Sequence, residues 1–217
     1  MTVFLWSHYI CIIKGKELIY MKNIIFDIGM VLIDFHWAAT MKKLGIPDDV
    51  IAHLDTHMVN HPLWRHFDLN DMDESEIRAG FKEISPQYAD YIDLFLDNME
   101  DVVDMYPGAD DWLKSLKEQG YNIYLLSNYP ERMFLQHMKR FYFLPYTDGR
   151  VVSYELKVVK PDPAIFNALC TKYNLRPEES IFLDDRKENT DAAAALGFSV
   201  LHVTDPFAAR DQLAALL

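Results

Sequence analysis

The chain has 217 residues, half of them hydrophobic and a quarter charged, enough for one packed α/β core with a modest insertion. Its formal charge of −12 excludes the concentrated basic face that nucleic acid or an anionic membrane surface requires, so any anionic substrate has to be neutralised locally. Two cysteines, Cys11 and Cys170, supply neither a disulfide framework nor a thiolate metal site and read as reduced thiols of a cytoplasmic protein.

Residues 1–20 stand apart. The apolar run Met1–Ile13 is followed, not preceded, by Lys14 and Lys16, the reverse of a secretory signal, and it is too short to span a bilayer. Two expectations are open here. The segment lies upstream of a true start at Met21, or Val3–Ile13 and Leu18–Phe26 pair as a hairpin about Lys14-Gly15-Lys16.

Asn23–Phe26 is a continuous apolar run ending in Asp27 and predicts a buried parallel strand. From Trp37 the pattern turns helical, with helices expected over Ala38–Leu44, Asp48–Val59, Glu74–Ile84 and Gln87–Met99 and no clear strand among them. After Pro107-Gly108 strands and helices alternate. Helices are expected over Asp110–Gln119, after Pro130, over Asp162–Tyr173 and over Lys187–Leu196. Strands are expected over Tyr121–Leu126, Ser180–Leu183 and Phe198–Val203. The fold class is therefore α/β: a Rossmann-like parallel sheet formed by 21–34 and 102–217, with a small α-helical insertion at 35–101.

Ligands of such sheets sit beyond the carboxyl ends of the strands. The residues that directly follow predicted strands are Asp27, Ser127-Asn128 and Asp184-Asp185. One aspartate after a strand is often only a turn former or helix cap. Two adjacent carboxylates at a buried strand end, however, repel unless a cation joins them, and hard oxygen ligands suit Mg²⁺. Lys160, in Val-Val-Lys-Pro-Asp-Pro, is either a surface charge or the fixed cation that offsets a phosphate. Ser127-Asn128 offers a hydroxyl, an amide and main-chain N–H groups to phosphoryl oxygens.

Four runs carry a resemblance. Ile-Ile-Phe-Asp27-Ile-Gly-Met-Val-Leu, Tyr-Leu-Leu-Ser127-Asn, Lys160-Pro-Asp-Pro-Ala-Ile-Phe and Phe-Leu-Asp184-Asp185 resemble, in order, the four motifs of the haloacid dehalogenase superfamily. The tail from Asp185 through Asn189 to Gly197 is similar to the branch holding sugar-phosphate phosphatases and the phosphatase domain of soluble epoxide hydrolases. There the helical insertion is a cap over the active site. The resemblance implies that Asp27 attacks phosphorus and forms an aspartyl-phosphate. It implies Mg²⁺ held by Asp27, the Gly29 carbonyl, Asp185 and, directly or through water, Asp184. Ser127 and Asn128 then hold phosphoryl oxygens, Lys160 bridges phosphate and Asp27, and Asn189 steadies the acidic pair or Lys160. The partner implied is a small-molecule phosphate ester.

One position departs from the pattern. Most phosphatases of this superfamily carry an acid/base aspartate two residues after the nucleophile, and here Gly29 stands there. Leaving groups that need little protonation are then favoured, a sugar 1-phosphate above a 6-phosphate; some similar bacterial glucose-1-phosphate phosphatases also have glycine. A phosphomutase is disfavoured. Two alternatives stay open: a chain that binds phosphate with weakened turnover, and a metal-independent 2-haloacid dehalogenase, against which the paired acids argue.

Other patterns compete for attention. His53, His57 and His61 at four-residue spacing suggest a stripe on one helix face, without the glutamate a zinc-protease helix needs. Asp68-Leu-Asn70-Asp71-Met-Asp73 imitates a calcium loop but lacks its glycine and terminal glutamate, so a turn capped by Asp73 is expected. Arg65, flanked by Trp64 and His66, is a candidate sugar or phosphate contact.

Overall fold

The computed structural model describes residues 11–14 and 17–217, with side chains from Met21 onward. β1 (Cys11–Lys14) and β2 (Glu17–Tyr20) pair antiparallel, Cys11 opposite Tyr20 and Lys14 opposite Glu17. A hairpin is thus present where the second expectation put one. Its second strand stops at Tyr20, and the expected first strand before Cys11 lies outside the described residues.

The core is a five-stranded, all-parallel sheet. Its strands are β3 (Asn23–Phe26), β6 (Asn122–Ser127), β7 (Gly149–Val152), β8 (Ser180–Asp184) and β9 (Ser199–His202), in the order β7-β6-β3-β8-β9. β3 lies at the centre, pairing with β6 on one side and β8 on the other so that Phe26 stands level with both Leu125 and Leu183. Successive side chains alternate between faces, which divides each apolar run between two cores. Ile24, Phe26, Ile123, Leu125, Ile181 and Leu183 enter one apolar cluster; Ile25, Tyr124, Leu126 and Phe182 enter the other. Both faces are buried, so the strands read as unbroken hydrophobic runs and not as alternating ones.

β4 (Ile33–Phe35) and β5 (Val103–Met105), unread in the sequence, pair antiparallel and bring the two ends of the helical insertion side by side. His36 Nε2 and Asp104 Oδ2 lie 2.9 Å apart, and Thr40 Oγ1 donates to the Asp101 carbonyl at 3.0 Å across the same seam. Between them run helices Trp37–Lys43, Asp48–Leu54, Arg65–Leu69, Glu74–Ile84 and Ala89–Asp97. The helix expected over Asp48–Val59 keeps its limits but widens to a π-turn at Asp55–Val59. Met41, Phe81 and Phe95 from this segment join Phe26 in the same buried cluster, so the insertion and one sheet face share a core.

Candidate active site

The carboxyl ends of β3, β6 and β8 meet at one edge. The Asp27 N–H donates to the Leu183 carbonyl at 2.8 Å, extending the ladder by one residue and fixing the Asp27 backbone. One oxygen of its carboxylate, Oδ1, accepts from the Ile28 N–H at 2.7 Å and from Ser127 Oγ at 2.7 Å, and Lys160 Nζ lies 2.9 Å away. The other oxygen, Oδ2, makes no hydrogen bond to a described residue. One carboxylate oxygen is therefore held by three donors while its twin stays open.

Lys160 Nζ also pairs with Asp184 Oδ2 at 2.6 Å. Asp184 is completely buried, and its remaining acceptor capacity is filled by the Arg186 N–H at 2.8 Å and by Asn189 Nδ2 at 2.9 and 3.0 Å. Asn189 thus steadies the acidic pair through Asp184 and does not reach Lys160. A buried ammonium between two carboxylates is costly to desolvate and persists only because its partners are this close. Burial works against the charged Lys160, but Asp184 and then Asp27 outweigh it and hold its pKa above the ordinary lysine value. Its ammonium also lies over the Phe182 ring, 5.4 Å from the ring centroid.

Asn128 takes a part that the resemblance does not mention. Its side-chain carbonyl accepts from the Lys160 N–H at 2.8 Å and its amide donates to the Lys160 carbonyl at 3.0 Å. The carbonyl and one amide hydrogen clamp the lysine backbone, which leaves the second amide hydrogen and main-chain N–H groups as donors for a phosphoryl group, while the Ser127 hydroxyl already donates to Asp27 Oδ1. Arg65 is corrected. It is exposed and does not line the cavity, whereas its neighbour Trp64 does.

A cation fits the acidic face. Asp27, Asp184 and Asp185 bring carboxylate oxygens within 4.8 Å of one another, and this all-oxygen donor set suits a hard divalent ion. Burial pushes Asp27 up to about 7, with Lys160 opposing and Asp184 and Asp185 reinforcing; burial and then Asp184 also raise Asp185. The crowded carboxylates therefore resist ionising together with only one lysine facing them, and a divalent ion would remove that penalty. Asp184 is already saturated by its donors, so Asp27, Asp185 and the Gly29 carbonyl, which accepts no hydrogen bond from a described residue, are the atoms left for a metal. No tight cluster of His or Cys ligands occurs elsewhere among the described residues. His53 and His57 instead stack at 4.0 Å, His53 Nε2 lies 2.7 Å from Ser85 Oγ, and His61 Nδ1 caps the turn at Leu63.

Over this edge lies a cavity of about 470 Å³. Asp27, Gly29, Ser127, Asn128, Lys160, Asp185 and Asn189 line it from the sheet, and Trp37, Asn60, Trp64 and Asp68 line it from the helical segment. Sequence reading missed Arg186, Tyr129, Trp37, Asn60 and Asp68. Arg186 was within reach, since it directly follows the paired acids. Asp68 carried no signal, because it sits inside the calcium-loop imitation. That loop is instead a turn: Asn70 takes a left-handed conformation at φ 49°, and Asp73 forms a capping box with Glu76.

A family model described as haloacid dehalogenase-like hydrolase matches residues 21–197. A phosphoglycolate phosphatase of Haemophilus influenzae (strain 86-028NP) is 30% identical over 108 residues, which cover 50% of this chain and 48% of that one. An (S)-2-haloacid dehalogenase 4A of Burkholderia cepacia is 29% identical over 98 residues, covering 45% of this chain and 42% of its own. The match therefore spans about half the length of these curated relatives. The solved structure of the HAD family enzyme bt-2542 from Bacteroides thetaiotaomicron, in complex with magnesium and inorganic phosphate, is 25% identical and superposes with a TM-score of 0.66. It covers 83% of this chain and 93% of that chain.

Proposed function

Because the chain belongs to the haloacid dehalogenase-like hydrolases, whose family model spans residues 21–197, we propose that it is a magnesium-dependent phosphatase of a small phosphorylated metabolite. The observation that carries the reading is the contact set of Asp27. A buried carboxylate is gripped at Oδ1 by Ser127 and Lys160, open at Oδ2, and faced by a second acidic residue able to share a cation.

In the proposed reaction an Asp27 oxygen attacks phosphorus in line, the bond from phosphorus to the ester oxygen breaks, and an aspartyl-phosphate forms. Water then attacks that phosphorus, releasing inorganic phosphate and restoring the carboxylate. Lys160 stabilises charge developing on the phosphoryl oxygens and favours the ionised form of Asp27 against the effect of burial. The Ser127–Asn128 turn orients the phosphoryl group through main-chain N–H groups and the second hydrogen of the Asn128 amide, whose other atoms keep Lys160 in place. Magnesium, when bound, neutralises the dianionic substrate and completes the positive field that the acidic chain lacks. The Trp37 and Trp64 rings on the opposite wall suit a sugar face, and Gly29 favours a sugar 1-phosphate over a 6-phosphate. The reaction belongs to the cytoplasm, in line with the reduced thiols and the metabolite substrate. Among the described residues no helix is long and apolar enough to cross a membrane.

The likeness to a haloacid dehalogenase supports a rival reading in which Asp27 displaces halide without metal. EDTA separates the two. Hydrolysis of p-nitrophenyl phosphate is expected to vanish with chelator and return with Mg²⁺. Dehalogenation of 2-chloropropionate that is indifferent to chelator, with no phosphatase activity, would establish the rival.

A further inference from the structure

A phosphatase with glycine at position 29 lacks the usual group to protonate the departing oxygen. Asp68 lies in the wall of the same cavity as Asp27, contributed by the helical segment and not by the sheet. Its carboxylate makes no hydrogen bond or ion pair to any described residue, in contrast to every carboxylate at the strand ends that is fully buried. Its backbone, by comparison, is tied down. Ser153 Oγ donates to the Asp68 carbonyl at 2.7 Å and accepts from the Tyr129 N–H at 3.0 Å, so Asp68 is indexed through one buried hydroxyl to the turn that carries Ser127 and Asn128. Two residues on, Asn70 Nδ2 donates to Glu131 Oε2 at 2.8 Å, and Arg132 Nε pairs with Glu74 Oε2 at 3.1 Å. The main chain is fixed against the phosphate-binding turn while the carboxyl is left free to meet a ligand.

Resting on the phosphatase reading, we propose that Asp68 is the acid/base of the reaction, replacing from the helical wall the carboxyl missing at Gly29. In the first step Asp27 attacks phosphorus, the bond to the leaving oxygen breaks, and the Asp68 carboxylic acid gives its proton to that oxygen. In the second, the Asp68 carboxylate takes a proton from water as the water oxygen attacks the aspartyl-phosphate. The bond from phosphorus to Asp27 then breaks, and Asp68 returns to its acid form. Alcohol and inorganic phosphate leave, and the protons balance.

The local field suits the role. Burial pushes the Asp68 carboxyl up to about 7; Arg186, Lys160 and Arg65 oppose this and Asp27 adds to it. A group poised near neutrality both donates and accepts effectively. With this acid in place the preference for sugar 1-phosphates keeps its direction but narrows, because a 6-phosphate leaving group is also protonated.

First-turnover rates of Asp68→Asn against wild type read the step directly. The variant is expected to lose about 10²–10⁴-fold on a sugar 6-phosphate, the range of one general acid, and less than about tenfold on p-nitrophenyl phosphate, whose leaving group needs no proton. Gly29→Asp in the Asp68→Asn background is expected to recover activity on the 6-phosphate, since a Cβ at Gly29 meets no atom within 4 Å. Wild type itself is expected to show a shallow dependence on leaving-group basicity. Equal losses on both substrates, no loss on either, or a steep dependence in wild type would overturn the role of Asp68 while leaving the phosphatase intact. Absence of wild-type turnover on every phosphate ester would remove both proposals.

Discussion

The two walls of the cavity are built on opposite principles. On the sheet side each fully buried charge has its partners: Asp27 takes three donors on Oδ1, Asp184 takes a lysine, an amide and a main-chain N–H, and Lys160 is clamped at both its ammonium and its backbone. On the helical side Asp68 has a fixed backbone and an unpartnered carboxyl, and Trp37 and Trp64 line the same cavity. The first wall holds one geometry regardless of substrate, as electrostatic preorganisation demands. The second offers groups that find partners only when a ligand arrives.

The largest expected effect breaks the first wall. Asp27→Asn keeps the shape and the donors but removes the nucleophile, and turnover is expected to fall by about 10⁴-fold or more with the fold intact, read from initial rates beside a circular-dichroism melt. Lys160→Met comes next. It leaves Asp184 buried without its cation, and loss of one member of a buried pair costs about 3–5 kcal/mol; urea unfolding is expected to show this in full, together with lost activity. An Asp68→Asn variant with an unchanged urea midpoint would sharpen the contrast, because the second wall carries chemistry and little stability. Asn189→Ala strips the buried Asp184 carboxylate of its amide donor and is expected to cost about 1–3 kcal/mol of stability, read from the urea midpoint and smaller than the loss in Lys160→Met.

A smaller effect lies at the seam between the walls. His137 is fully buried, with Nδ1 2.7 Å from the Tyr129 hydroxyl and Nε2 3.1 Å from the Met99 carbonyl. Burial lowers its pKa to about 4, with the Met99 carbonyl opposing. The unfolded chain binds a proton that the folded chain refuses, so this contribution to stability is full above about pH 6.5 and is lost as pH falls towards 4, by up to about 3 kcal/mol. His137→Gln is expected to flatten that part of the stability profile; an unchanged slope would show that His137 titrates freely.

The sheet wall was legible and the helical wall was not, for a physical reason. Parallel strands buried on both faces leave unbroken apolar runs, and the polar residue at the end of each run marks the active edge, which is why Asp27, Ser127 and Asp184 stand out. Their neighbours were less legible. Asn128 lines the cavity, and its amide also clamps the Lys160 backbone, a contact that no spacing announces. β7 went unread because Gly149 is a poor strand former. It is held at the sheet edge by pairing with β6 and by Tyr173, whose ring comes so close that a Cβ at Gly149 would meet it at 2.3 Å. On the helical side the side chains that reach the cavity are selected by packing across the whole segment, and no spacing rule separates Asp68, which lines the cavity, from Arg65, which does not.

Acid quenching of the protein during turnover of a phosphate ester, followed by mass spectrometry of its peptides, tests the covalent step most directly. A phosphoryl adduct on the peptide bearing Asp27, absent in Asp27→Asn and accumulating in Asp68→Asn, is the predicted result. Steady phosphate release with no adduct at any quench time, or with the adduct on another residue, would contradict it.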